Sequence, residues 1–177
     1  QRPGRAFCFE VARMFADTAD GLDHAHNLKV VHRDLKPSNM ILDVDGRLRI
    51  LDFSLAWIDG EQRLTLSRDR LGTPLYMSPE QARGDTHLIG PATDLYGLGA
   101  TLYEVLTWQP PFEGRDLRDT LQQIVHGEPI APRRLNRAIP GDLETIVLKC
   151  LRKDPSERYA TAKDLAEDLR AFAEGRI

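Results

Sequence analysis

The feature that most constrains this chain is a short segment, residues 30–39, in which polar groups are closely spaced between apolar residues. Asp34 is followed two residues later by Lys36 and five residues later by Asn39. An acid, a cation and a carboxamide at this spacing can orient a hydroxyl group, neutralise a phosphate and hold a metal ion. Because apolar residues also flank the segment, we expect these groups on a loop held by a rigid support.

Hydrophobic periodicity predicts a mainly α fold. The chain has 177 residues, 41% of them hydrophobic, which is enough for the core of one domain or lobe. Apolar residues at three- and four-residue steps predict helices, whereas one stretch is apolar almost all round and belongs in the middle of the fold. Thr161 and Asp164 form an approximate capping box for the last helix. The predicted helices cover residues 6–27, 92–107 (the apolar one), 116–126, 143–151 and those after Thr161.

Small β-hairpins are expected beside the polar segment. The Asp45-Gly46 turn signal lies between the apolar runs 40–42 and 48–51, which predicts a hairpin. Residues 52–80 show no sustained periodicity and are interpreted as a long loop, which in a compact domain usually has a function.

Composition argues against several classes of partner. The net charge is −3, so neither nucleic acid nor an anionic membrane is expected as the main partner. Arg133, Arg134 and Arg137 are interpreted as a solvated connection, and His24 and His26 as surface or packing residues. Cys8 and Cys150 are expected to be reduced, packed thiols of a cytoplasmic protein, and no apolar run is long enough to span a bilayer.

The polar segment matches the pattern H-R-D-L-x-x-x-N, and on this ground the sequence resembles the protein kinase family. Further kinase-like motifs follow in family order, namely Asp52-Phe53, Gly72-Thr73, Ser78-Pro79-Glu80 and Asp94. The resemblance implies that residues 1–177 form the larger, C-terminal lobe of a kinase. Within it, 30–42 would be the catalytic loop, 52–80 the activation segment and 92–107 the central buried helix.

The same resemblance implies a role for each matching residue. Asp34 and Lys36 would be catalytic, and Asn39 and Asp52 would bind Mg²⁺. A larger set would contact ATP, with Ile41 as the floor beneath the adenine ring. That set is Lys36, Ser38, Asn39, Ile41 and Asp52. A structural set would support the site: His32, Thr73, Glu80, Asp94 and Arg158, with Glu80 paired to Arg158.

The substrate class and a mode of regulation also follow from the resemblance. Lys36 and Gly72-Thr73 resemble Ser/Thr kinases, and Ser78-Pro79-Glu80-Gln81-Ala82-Arg83-Gly84 resembles the eukaryotic-like Ser/Thr kinases of bacteria. Protein substrates with Ser or Thr acceptors are therefore expected. Arg33, beside the catalytic acid, is expected to meet an anion, and phosphorylation at Thr65, Ser67 or both would supply one.

Two departures from the family pattern leave alternatives open. Ser54 stands where the family has Gly, which admits backbone angles that serine resists. The sequence also contains no Gly-rich phosphate loop and no strand lysine, so the N-terminal lobe of the parent is expected to be a missing partner, and this chain alone is expected to be inactive. The alternatives are a pseudokinase lobe acting as a binding scaffold and an inert gene fragment. The first residue is Gln1, so the chain is expected to be a piece of a longer protein, whose other regions could anchor it to a membrane.

Overall fold

The structure is a computed structural model that describes residues 4–51, 57–58 and 74–176, with only the backbone described at 57–58. Helices dominate, and the short strands lie beside the polar segment. In chain order the helices are α1 (Arg5–Asn27), α2 (Pro79–Arg83), α3 (Pro91–Thr107), α4 (Leu117–His126), α5 (Pro132–Leu135), α6 (Gly141–Cys150) and α7 (Ala162–Ala173). The strands are β1 (Val30–Val31), β2 (Met40–Leu42), β3 (Leu48–Ile50) and β4 (Trp57–Ile58). Single 3₁₀ turns occupy Pro37–Asn39, Thr86–Leu88 and Pro155–Glu157.

Helix α3 is the centre of the core, as its lack of a polar face predicted. Of its 17 residues, 13 are buried, and α1, α5 and α6 all pack against it. The contact with α6 is so close that a Cβ added to Gly99 would overlap the Cβ of Cys150. Gly97 likewise brings α3 against Leu35, whose Cβ and carbonyl oxygen would both lie 3.0 Å from an added Cβ.

The first and last helices pack on each other beside this core. Helix α1 buries the stripe that includes Val11, Phe15 and Leu22, and its most extensive contact is with α7. The rings of Phe9 and Phe172 stack between them, with centroids 4.8 Å apart. Helix α7 starts with the predicted capping box, in which Thr161 accepts from the Asp164 amide and the Asp164 carboxylate accepts from the Thr161 amide.

The strands form two separate antiparallel pairs. Strands β2 and β3 make the predicted hairpin, with Ile41 opposite Arg49 and with Gly46 at a φ of +76° in the turn. Strand β1 pairs with β4, placing Val30 opposite Ile58. The second pair was not predicted, because a two-residue strand shows no periodicity that a sequence pattern can reveal.

Four further features of the structure correct or complete the sequence interpretation. Part of the predicted loop 52–80 is regular, since β4 and the first residues of α2 lie within it. The Pro- and Arg-rich connection after α4 contains the one-turn helix α5, which begins at Pro132. Cys8 and Cys150 are free and buried, as predicted, and burial raises the pKa of the Cys150 thiol to about 12. Within the described part of the chain, no helix is both long and apolar enough to cross a bilayer.

Candidate active site

The loop between β1 and β2 brings three of the predicted polar side chains together. Lys36 Nζ lies 3.4 Å from Asp34 Oδ2, and Asn39 Nδ2 donates to the same oxygen at 3.2 Å. The side chains of Asp34 and Lys36 remain 34% and 32% exposed, so solvent or a ligand can reach them. Between them, Leu35 is buried against α3 and anchors the loop. The apolar residue within the motif thus fixes the position of its two polar neighbours.

The hydrogen bonds of this cluster leave two oxygens available. Asn39 Nδ2 also donates to the Asp34 carbonyl at 2.7 Å, so both hydrogen bonds of this nitrogen go to Asp34. Among the described residues, neither Asp34 Oδ1 nor Asn39 Oδ1 has a hydrogen-bond partner in the protein. The amide oxygen of Asn39 is a hard donor of the kind that Mg²⁺ prefers, so this residue fits the ion.

The backbone just before Asp34 is held by one buried carboxylate, that of Asp94 on α3. Its Oδ2 accepts from the His32 amide and its Oδ1 from the Arg33 amide, each at 2.8 Å. These bonds hold Arg33 at a φ of +71°, a left-handed conformation that is unfavourable for a residue with a Cβ. Asp94 therefore determines the backbone path that presents the next residue, Asp34.

His26 completes this buried cluster, although the sequence interpretation assigned it only a surface or packing role. Its Nε2 lies 2.8 Å from Asp94 Oδ2, and the His26 side chain is 7% exposed. Two backbone amides and an imidazole thus surround the Asp94 carboxylate. No sequence signal separates His26 from His24, because only the packing of α1 on α3 decides which of the two faces inward.

His32 uses both ring nitrogens for structural hydrogen bonds. The Asp34 amide donates to His32 Nδ1 at 3.1 Å, so Nδ1 is the acceptor. Nε2 lies 3.0 Å from the carbonyl oxygen of Leu51 and must be the donor. These contacts assign the neutral Nε2–H tautomer and connect the loop to the end of β3. Both ring nitrogens of His32 therefore contact backbone groups beside the cluster.

A second buried centre, Glu80 with Arg158, joins α2 to the segment before α7. Both guanidinium NH groups donate to the two carboxylate oxygens at 2.8 Å, and both side chains are 0% exposed. Thr93 donates to Glu80 Oε1 at 2.9 Å, and Arg158 also donates to the Ala92 carbonyl at 2.8 Å. Burial alone would raise the pKa of Glu80, but the hydrogen bonds and charge of Arg158 hold it below its ordinary value.

Helix α2 connects these two centres. Ser78 and Gln81 form a reciprocal capping box at its start, and Gln81 Nε2 donates to the Arg33 carbonyl at 2.8 Å. The short helix is therefore joined to the Asp34 loop through Gln81 and to the C-terminal helices through Glu80. Gln81 was not among the predicted site residues, although the S-P-E-Q spacing of a capping box was visible in the sequence.

Arg33 and Tyr76 carry the clearest perturbed pKa values near the loop. Partial burial lowers the pKa of the Arg33 guanidinium, an effect that the nearby Asp94 charge opposes. Burial and a hydrogen bond to Glu104 raise the pKa of Tyr76 well above its ordinary value. Tyr76 thereby ties the chain before α2 to α3, a contact that the sequence did not predict.

The remaining predicted residues divide into two groups. Ser38 lies in the 3₁₀ turn, and Ile41 lies on β2 with 51% of its surface exposed, close in sequence to the cluster. The others lie outside the described residues, so the structure places none of them relative to Asp34. They are Asp52, Thr65, Ser67 and Thr73.

The chain matches the protein kinase domain over residues 6–169. It is 37% identical over 158 residues to the serine/threonine-protein kinase PknB of Mycobacterium tuberculosis, covering 88% of this chain and 25% of that protein. It is 35% identical over 169 residues to the serine/threonine-protein kinase PrkC of Bacillus subtilis, covering 95% of this chain and 26% of that protein. The probable serine/threonine-protein kinase SCO3848 of Streptomyces coelicolor is 38% identical over 157 residues, 88% of this chain and 23% of that protein.

The chain therefore spans about a quarter of the length of these curated relatives. The family match extends over nearly all of it, and it includes the loop of Asp34, Lys36 and Asn39 and the buried Asp94 and Arg158 centres. By sequence and by its mainly helical architecture with small antiparallel strand pairs, this chain belongs to the protein kinase domain family.

Proposed function

We propose that this chain is the larger lobe of a Ser/Thr protein kinase and carries its catalytic loop. The observation that carries the proposal is the convergence of Lys36 Nζ and Asn39 Nδ2 on Asp34, within 3.4 Å, on a loop that stays accessible. Phosphoryl transfer asks little covalent chemistry of a protein and depends on positioning and charge neutralisation. The three side chains supply both.

Asp34 would align the acceptor hydroxyl and take its proton. Its Oδ1 has no donor among the described residues, so the lone pairs of this oxygen are free for an incoming Ser or Thr hydroxyl. The contacts of Lys36 and Asn39 with Oδ2 leave Oδ1 as the reactive oxygen. A positioned general base contributes about 10²–10⁴-fold to a rate, so Asp34 is the residue whose loss should matter most.

Lys36 and Asn39 would act on the phosphate side of the reaction. Lys36 would neutralise charge on the transferred γ-phosphoryl group, since its ammonium lies beside the hydroxyl-orienting carboxylate. Asn39 would hold Mg²⁺ through Oδ1 because its Nδ2 is committed to Asp34. Asp52 is proposed as the second protein ligand. Bound Mg²⁺ would neutralise charge on the ATP phosphates.

ATP would lie over the β2–β3 hairpin. Ile41 is 51% exposed and Leu42 is 58% exposed, so the hairpin offers apolar surface directly after Ser38 and Asn39. Ile41 would support the adenine ring, and Ser38 would lie near the phosphates. A smaller lobe of the same parent protein would cover this surface and supply the Gly-rich loop and lysine that the sequence lacks.

Ser and Thr residues of proteins are the proposed acceptors. Lys36 within the loop and Gly72-Thr73 before α2 support this class, and the printed names of the relatives are those of Ser/Thr kinases. Activation is proposed to proceed by phosphorylation of Thr65, Ser67 or both. The resulting phosphate would meet Arg33, a guanidinium whose partial burial makes a nearby anion favourable.

A pseudokinase scaffold is the second candidate, and Ser54 favours it. A serine where the family has Gly would restrict the backbone beside Asp52. If the protein is a kinase, removal of the Asp34 carboxylate should lower phosphate transfer; if it is a scaffold, the change should have no effect on transfer.

The test compares phosphate transfer from radiolabelled ATP by the full-length parent protein and its Asp34→Asn variant. We expect Asp34→Asn to lower the rate about 10²–10⁴-fold, because the side chain keeps its shape but can no longer take a proton. Asp45→Asn is the matched control, since Asp45 is an exposed acid in the hairpin turn and should leave the rate unchanged. If the wild type and Asp34→Asn transfer phosphate at the same low rate, the result would favour the scaffold.

A further inference from the structure

A basic depression lies on the surface between α5 and α6, and nothing in the proposed phosphoryl transfer uses it. It is open, has a volume of about 730 Å³ and is lined by Ala131, Arg133, Arg134, Arg137 and Glu144. The sequence interpretation assigned these arginines to a solvated connection. In the fold, Pro132–Leu135 form α5, so Arg133 and Arg134 share one helical turn and Arg137 lines the same depression.

The three arginines of this depression outnumber its one acid, Glu144. Across residues 4–51 and 74–176, no carboxylate lies within 4.0 Å of the guanidinium groups of Arg133, Arg134 or Arg137. The one acid of the lining, Glu144, accepts from the Arg133 backbone amide at 2.7 Å. Its carboxylate therefore already serves to fix α5 against α6. Three arginines thus line one depression in a chain whose net charge is −3.

The backbone that carries these arginines is held in place. Pro132 and Ile139 are buried, and Asn136 Nδ2 donates to the carbonyl oxygen of Leu106 on α3 at 3.3 Å. Asn136 Oδ1 accepts from the Ala138 amide at 3.1 Å, which fixes the turn before α6. The entropic cost of ordering the backbone on ligand binding would thus be small, and only the arginine side chains would need to adjust.

Arginine chemistry defines the ligand. The planar guanidinium binds phosphate and carboxylate groups through paired hydrogen bonds, and it does so better than lysine. Nucleic acid is a poor match, because its recognition draws on an extended basic surface, whereas this chain is acidic overall and Glu144 lines the depression. A compact dianion within a protein segment fits three arginines that line one depression.

We propose that Arg133, Arg134 and Arg137 form a docking site for a phosphorylated segment of a partner protein. A phosphoserine or phosphothreonine carries about −1.5 to −2 charges at neutral pH and offers three strong acceptor oxygens. The choice of this ligand rests on the proposed function, because a Ser/Thr kinase would generate such groups.

The test is a direct binding measurement that does not require catalysis. A fluorescent acidic peptide with one phosphoserine is titrated against the full-length Asp34→Asn protein, in parallel with its unphosphorylated form, with inorganic phosphate and with a single-stranded DNA oligonucleotide. We expect the phosphopeptide to bind at least about tenfold more tightly than the unphosphorylated peptide, and binding to weaken as salt is raised. Failure of the proposed catalysis would leave this result unaffected.

The variants assign the binding to the depression. Replacing Arg133, Arg134 and Arg137 together by Ala should weaken phosphopeptide binding by at least about 100-fold. A control replacing the exposed Arg13, Arg47 and Arg152 by Ala removes the same charge and should weaken it by less than about threefold. Circular dichroism should show that both variants are folded.

Three results would overturn the proposal. One is equal affinity for the phosphorylated and unphosphorylated peptides, and another is an equal effect of the two triple variants. The third is a preference for the oligonucleotide or for inorganic phosphate alone over the phosphopeptide. That outcome would assign the depression to nucleic acid or to a free anion.

Discussion

The carboxylate of Asp94 holds the backbone at His32 and Arg33, and Asp34 is the next residue along the chain. The two carboxylates differ in burial and in hydrogen bonding. Asp94 is fully buried and contacts two backbone amides and the His26 ring, each at 2.8 Å. Asp34 is one-third exposed, and its contacts with Lys36 and Asn39 are longer, 3.4 and 3.2 Å. The buried acid accepts from three donors, whereas Oδ1 of the exposed one has no donor among the residues that the structure describes.

The difference separates stability from chemistry. A saturated buried carboxylate holds backbone in an unfavourable conformation, which is the φ of +71° at Arg33. A carboxylate with an open oxygen is available for a hydroxyl group. Its ion pair contributes little to the free energy of unfolding, because surface ion pairs are worth about 0–1 kcal/mol. The Glu80–Arg158 pair belongs to the first type, since both side chains are completely buried.

The largest effect should come from breaking that buried pair. Arg158→Met leaves Glu80 without its two 2.8 Å hydrogen bonds, so we expect the free energy of unfolding to fall by about 3–5 kcal/mol. Asp34→Asn should change it by no more than about 0.5 kcal/mol. Chemical denaturation of both variants measures the contrast, and similar losses for the two would remove the distinction between the buried and the exposed acid.

An intermediate effect is expected where α3 meets α6. Gly99→Ala places a Cβ on that of Cys150, so we expect a loss of about 1–3 kcal/mol from overpacking. The matched control is Gly21→Ala, in α1, where an added Cβ meets nothing within 4 Å. It should stabilise the protein by about 0.5–1 kcal/mol. Thermal denaturation showing destabilisation by both, or by neither, would contradict the close approach of the two helices.

The smallest effect concerns Lys153, a residue that is neither fully buried nor fully exposed. Its ammonium donates to the carbonyl oxygens of Ile124 at 2.6 Å and Gln123 at 3.4 Å, at the end of α4, and lies 4.1 Å from the centre of the Phe112 ring. Burial lowers the pKa of Lys153 to about 8, from an ordinary value of 10.5. The unfolded chain therefore binds more protons between these values, and the contribution of Lys153 to stability should rise with pH.

The measurement is the difference in melting temperature between the wild type and Lys153→Met as a function of pH. We expect the stability of the wild type relative to Lys153→Met to increase from pH 8 to about pH 10.5. Lys153→Arg should show no such trend, because arginine stays protonated throughout this range. A difference that stays constant would mean that Lys153 is solvated like a surface lysine, and one that falls with pH would mean that folding raises its pKa; either result contradicts the prediction.

Sequence patterns predicted the long elements well and the short ones poorly. Helices α1, α3, α4, α6 and α7 all follow the predicted spans, because each is long enough to show a hydrophobic period. Three short elements were missed, because helices of four or five residues and a strand of two are too short to show a hydrophobic period. They are α2, α5 and β4.

The candidate site shows the same division. The H-R-D-L-x-x-x-N spacing was enough to predict that Asp34, Lys36 and Asn39 lie together, because all three are on one short loop. His26, Gln81 and Tyr76 were missed as supporting residues. Each contacts its partner across at least 28 positions of sequence, a separation at which local patterns carry no information.

The amino-acid sequence by itself thus determined the helical framework, the identity of the polar loop and the family, since all three depend on local spacing. Only the tertiary structure decided which carboxylate is buried and saturated and which stays open. It also decided that His26 and not His24 faces inward and that Arg133, Arg134 and Arg137 line one depression. The physical reason is that burial and charge compensation depend on packing between helices that are distant in the chain, which a local pattern does not encode.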